Sequence, residues 1–200
     1  KQFLDIFRNR FGEVRQFIRL GCSDSTKNYV SEWHNQGVVG FGYPKIGDLT
    51  QKNLKKDIDK VVIQRELEES YFFSDKKVAS RIAGELFRFY KSDNNTVFVI
   101  MEGEKLIACV DEIGEYSFNS SSEMPHQKKA NWKLFFDAGE KLPEKTEGLR
   151  TICYPFHKSD NLLFLYNRYY YGKENSEIVK DKDKRNINHE KVINFYTKIQ

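Results

Sequence analysis

The residues suited to covalent or metal chemistry are few and scattered. His34, His126, His157 and His189 lie in four separate segments, with no H-E-x-x-H and no H-x-E followed by P-C-x-x-C. The ligand spacings of zinc proteases and deaminases are therefore missing, and no metal is implied. Cys22, Cys109 and Cys153 are odd in number and include no C-x-x-C pair, so they read as packing thiols and not as a disulfide framework or a zinc knuckle. Cys153 stands four residues before His157, and this neighbourhood keeps a small enzyme with a thiolate nucleophile open as an alternative. Asp111 and Glu112 are adjacent carboxylates without an E-x-K partner, which suits a solvated turn better than a nuclease centre. There is no G-x-x-x-x-G-K-[S/T], and the glycines of GVVGFGYPKIG lack dinucleotide-loop spacing. Nucleotide hydrolysis is accordingly not expected, and no cofactor is implied.

What remains is a chemistry of stacking and hydrogen bonding. Trp33 precedes GVVGFGY, which ends at Tyr43; IGDL follows at 46–49; a late segment, PHQKKANWKL, carries His126 and Trp132. With LFRFY at 86–90 and IGEYSF at 113–118 between them, this order resembles the EVE-like members of the PUA-like superfamily, relatives of the YTH domain. In particular it resembles the N-terminal specificity domains of McrB-type modification-dependent restriction systems. The resemblance covers roughly residues 14–136. Tyr43 stands where that family has Trp, and Gln127 and Lys128 replace its His-to-Arg spacing.

The resemblance implies a noncatalytic DNA-binding specificity domain. Its ligand would be double-stranded DNA carrying a methylated base, N6-methyladenine or 5-methylcytosine, flipped into an aromatic pocket. Its partners would be an AAA+ GTPase motor and a nuclease subunit, with no membrane involved. A flipped base needs aromatic faces and hydrogen bonds to its Watson–Crick edge. Trp33, Tyr43, Tyr116 and Trp132 are the candidate faces, and Asp48 and Ser23 the candidate polar contacts. Glycines such as Gly40 and Gly42 would let the backbone approach that edge closely. Trp33, between Glu32 and His34 in a polar loop, has the least structural excuse. Trp132 alternates with Ala130 and Leu134 as a core strand residue would, and Asp48 could simply cap a helix. Lys27, Lys45, Lys128, Lys129 and Lys133 would converge on phosphates if the family fold holds. Two other readings stay open: a YTH-like reader of methylated RNA, and a protein-interaction domain using the aromatic stretch at 162–171.

The elements that must position these residues are read from periodicity. With 200 residues, 39% hydrophobic and 14% aromatic, the chain can fill one sizeable core, and its net charge of +4 permits an anionic partner without demanding one. Helices are expected at 3–11, within 48–69, from a Ser74 cap to Lys91, at 160–171 and near the C-terminus around 187–199. Strands are expected at 16–20, 37–43, 96–101, 106–110, 116–118, 129–136 and 149–156, with a hairpin around Glu102-Gly103-Glu104. This order predicts the α/β class, α+β type: a small PUA-like curved sheet or barrel with flanking helices, plus a C-terminal helical extension. The turn-rich stretch 137–148 divides a modified-base-binding domain, 1–136, from an extension, 137–200. No run of about 20 apolar residues and no signal-peptide core is present, so a cytoplasmic location is expected. The first residue, Lys, suggests an excised fragment.

Overall fold

The computed structural model describes residues 15–24, 26–73 and 75–172. The helices expected at 3–11 and near the C-terminus lie outside these residues. Strand β1 (Gln16–Gly21) leads to helix α1 (Val30–Gln36) and strand β2 (Val38–Phe41). Short 3-10 turns at Pro44–Ile46, Leu49–Lys52 and Asp57–Asp59 precede α2 (Lys60–Tyr71) and α3 (Lys76–Lys91). Six strands follow: β3 (Thr96–Glu102), β4 (Lys105–Asp111), β5 (Tyr116–Phe118), β6 (His126–Lys129), β7 (Asn131–Phe135) and β8 (Cys153–Pro155). Helix α4 (Ser159–Tyr171) ends the described chain.

The protein is mixed α/β, with four α-helices and two sheets among the described residues. The expected barrel is not formed. One sheet has five strands in the order β7-β4-β3-β1-β8, and its edge strands β7 and β8 do not pair with each other. The other has three strands in the order β2-β6-β5. The crossover accounts for the separation into two sheets: β1 and β3 pair in parallel, from Gln16 opposite Thr96 to Gly21 opposite Met101. A parallel pair cannot be joined by a tight turn, so the intervening chain leaves the sheet, forms β2 elsewhere and returns through α2 and α3. The β3–β4 hairpin turns at Gly103, whose φ of +57° a side chain would resist.

Chain contacts divide the molecule into two units, 1–162 and 163–200, and of the second only residues 163–172, the continuation of α4 and the glycine after it, are described. The core of the first unit forms around α3. Its Ala79, Ile82, Ala83, Leu86 and Phe89 recur at three- and four-residue spacing and are all buried. Each large apolar side chain so covered contributes about 1.5–3 kcal/mol. Phe89 touches Phe41 of β2 and Phe98 of β3, both at 5.7 Å between ring centroids, and so ties the two sheets to one helix. The cap of α3 is Asp75, whose carboxylate accepts the Lys77 N–H at 2.8 Å; Ser74 itself is not among the described residues. In the stretch 48–69, the Asp59 carboxylate accepts the N–H groups of Lys55 and Lys56, and α2 starts only after it. No helix among the described residues is long and apolar enough to cross a membrane.

Candidate functional site

The polar heart of the molecule is a buried histidine. β6 is the middle strand of the three-stranded sheet and sets His126 opposite both Phe41 of β2 and Phe118 of β5. The ring is fully buried, and that burial pushes its pKa down to about 4, so it is neutral at physiological pH. Its Nε2 lies 3.3 Å from the Tyr43 carbonyl and its Nδ1 2.8 Å from the Tyr116 hydroxyl. A carbonyl can only accept, so Nε2 carries the proton and Nδ1 accepts from Tyr116. The Tyr116 oxygen in turn accepts the backbone N–H of Leu49 at 3.3 Å. The relay therefore runs from the GDL turn through Tyr116 and His126 to the end of the GFGY segment.

The relay holds an unusual backbone. Tyr43 has a φ of +69°, in the left-handed region, which costs a residue with a side chain about 1–2 kcal/mol. Gly47 shares that φ and supplies the next bend without such strain. The half-buried Tyr43 ring meets Tyr71 edge-on at 5.3 Å, and Tyr71 stacks on Phe73 at 6.1 Å. The Tyr71 hydroxyl accepts the Lys45 N–H at 3.0 Å, and the Lys45 ammonium lies 5.2 Å from the Tyr71 ring centre. On the other side of the relay, Tyr90 of α3 meets Tyr116 edge-on at 5.0 Å. A row of partly exposed aromatic rings thus flanks a rigid, fully paired polar core.

The sequence-predicted residues are only partly brought together. Tyr43 and Tyr116 are joined through His126. Trp33 is not in a loop: it sits in α1, 1% exposed, stacked on Tyr29. A Cβ built on Gly40 would come within 3.0 Å of the Trp33 Nε1 and 2.9 Å of the Met124 Cβ. The room at Gly40 is therefore filled by Trp33 and Met124. Because side chains alternate along a strand, Trp33 packs on the sheet face opposite to Phe41 and His126. Trp132, on β7, donates its indole N–H to the Val38 carbonyl at 3.3 Å and contacts His34 and Phe135. The ring contacts of Trp33 and Trp132 are separate from those of Tyr43 and Tyr116. Asp48 caps the Leu49–Lys52 turn, accepting from the N–H and hydroxyl of Thr50, both at 2.9 Å. Ser23 is exposed and bridges to Asn28 in the loop after β1.

The lysines also divide. Lys128 is 3% exposed, and its ammonium donates to the Ser92 carbonyl at 2.7 Å and the Gly114 carbonyl at 3.4 Å. Burial lowers its pKa to about 8, and it cannot reach a phosphate. Lys27 is shared between Glu123 and Glu32, and Lys133 pairs with Asp111 at 3.5 Å. Lys45 and Lys129 are exposed. Sequence reasoning missed Tyr71 and Phe73 altogether. The signal was the run Tyr71-Phe72-Phe73 between two charged helices, which no helical period can bury as a whole.

Other chemistry finds less support in the geometry. No cluster of metal-binding side chains occurs among the described residues. Cys153 is buried, which pushes its thiol up to about 12, the reverse of an activated nucleophile. A cleft of about 300 Å³ is lined by Lys60, Arg88 and Lys91 together with Asp57 and Asp93, and Phe87 is the one aromatic residue of its lining. The Lys91 ammonium already lies 5.7 Å from that ring's centre, and the mixed charges make the cleft the poorer candidate. Comparisons of the chain with protein families, curated proteins and solved structures find no match.

Proposed function

We propose that this chain is a PUA-like, base-reading DNA-binding module, of the kind its sequence order resembles, and that Tyr43 is the wall against which a flipped methylated base stacks. The observation that carries the reading is the backbone of Tyr43. A non-glycine residue held at a positive φ by a buried relay is strain that the surroundings must maintain, and such strain gathers at functional sites. The relay leaves its ring half-exposed beside Tyr71 and Phe73, with the Lys45 ammonium close by. Rings of this kind offer base-stacking surface, and a nearby cation suits the phosphate that accompanies the base.

On this reading Tyr43 and Tyr71 stack, His126 and Tyr116 position Tyr43, and Lys45 meets the backbone. Trp33 supports α1 and the sheet from within. The module carries no catalysis itself and would direct the motor and nuclease that the resemblance implies. The test is a titration at fixed salt against matched duplexes with no methyl group, N6-methyladenine or 5-methylcytosine, with single strands and RNA alongside. Selective binding of one methylated duplex, lost in Tyr43→Ala, supports the reading; a preference for methylated RNA would assign the YTH-like alternative. Equal binding to every polymer would sink it.

A further inference from the structure

Among the described residues Phe72 is the most exposed of the large apolar side chains, at 85%, and its φ is +51°. It closes α2 in the left-handed conformation, a place where glycine is the usual residue. An aromatic ring here gains nothing from the core and strains the backbone. Yet its two neighbours are anchored: Tyr71 by the Lys45 N–H and the Tyr43 ring, Phe73 by stacking on Tyr71. Phe72 therefore projects between two packed rings, directly beside the aromatic row. Exposed lysines accompany it, with carboxylates among them: Lys45, Lys76 and Lys77 are exposed, and so are Glu69 and Asp75 on the two sides of Phe72 in the chain.

We propose that Phe72 is a wedge that enters the base stack of a duplex and fills the gap left when a base is turned out towards Tyr43. The inference rests on the base-reading function proposed above. An apolar ring inserted between base steps holds a duplex open, and the stacking it regains replaces what the flipped base has lost. A wedge needs an exposed ring on a stem whose neighbours are packed, and exposed cations to meet the strands; Phe72 offers the first between Tyr71 and Phe73, and Lys45, Lys76 and Lys77 the second.

The test compares the parent with Phe72→Ala and Phe72→Trp. Each is titrated against a duplex with one N6-methyladenine or one 5-methylcytosine, and against the corresponding methylated single strand. Alanine carries the same left-handed strain and removes no buried contact, so the thermal midpoint of the variant checks that the fold is unchanged. Phe72→Ala is expected to weaken binding of the methylated duplex about 10-fold, the loss of one stacked ring. It should leave the methylated single strand within about 2-fold, because a single strand has no stack to open. Phe72→Trp should retain duplex affinity. Equal losses on duplex and single strand would make Phe72 a pocket wall and overturn the wedge, as would no loss on either. Self-association of the parent that Phe72→Ala abolishes would assign the ring to a second copy, and also overturns it. If the parent binds no methylated polymer selectively, the base-reading function fails first, whatever the variants do.

Discussion

The buried His126 makes stability depend on pH in a defined window. Its pKa is about 4 in the folded protein, lowered by burial, against about 6.5 for an unfolded histidine. The folded state thus resists the proton that the unfolded state accepts. The contribution is complete above pH 6.5 and is lost as pH falls from there towards 4. Linkage between these two values gives a loss of about 2 kcal/mol by pH 5 and about 3 kcal/mol by pH 4. Geometry gives the same sign, since a protonated Nδ1 would turn a donor towards the Tyr116 hydroxyl, which now donates to it. Lys128, lowered to about 8, has a linkage confined to pH 8 and above and does not contribute in this window. Denaturant unfolding at pH 7, 6 and 5, on the parent and His126→Gln, measures the effect. The parent should lose about 2 kcal/mol more than the variant between pH 7 and 5. A His126 NMR titration midpoint near 6.5, or equal pH dependence in the two proteins, would show that His126 is not the source of the acid sensitivity.

Four further outcomes are expected. Gly40→Ala should cost about 1–3 kcal/mol by denaturant unfolding, because its methyl would meet the Met124 Cβ and the Trp33 indole at 2.9 and 3.0 Å. Phe72→Gly should stabilise the fold by about 1 kcal/mol, read as a higher thermal midpoint, since glycine relieves the left-handed strain; its affinity for a methylated duplex should fall nonetheless. Lys45→Ala should reduce the slope of log affinity against log salt on duplex DNA by about 0.9, whereas Lys128→Met, which removes a buried ammonium, should leave that slope unchanged. Cys153 should resist iodoacetamide at pH 8 and react only on unfolding, as its burial and raised thiol pKa require.

Much of the secondary structure was legible because burial and periodicity coincide. Helix α3 shows its apolar stripe openly, and the β3–β4 hairpin carries its Gly103 turn in the sequence. Strand β6 was not legible: the expected strand began at 129 and Lys128 was assigned to phosphates, yet His126, Gln127 and Lys128 are buried with their polar atoms satisfied by Tyr43, Tyr116, Met124, Ser92 and Gly114. Local polarity hides a strand whose hydrogen-bond partners lie far away in sequence. Trp33 misled for a related reason. Its helix is only seven residues long and presents Glu32 and His34 on either side of the one residue it buries. The parallel pairing of β1 with β3 joins residues 80 apart, as Gln16 with Thr96, and no local pattern announces it. At the site, Tyr43 and Tyr116 were visible as aromatic residues near glycines, but the link between them is a tertiary hydrogen-bond relay.

On the proposed function, a methylated base comes to rest against Tyr43 and Tyr71. The most direct measurement is NMR on protein labelled at tyrosine rings, titrated with methylated and unmethylated duplexes of one sequence. The methylated duplex alone should shift the Tyr43 and Tyr71 ring signals, with Tyr154 unmoved. Equal shifts from both duplexes, or shifts that bypass Tyr43 and Tyr71, would contradict it.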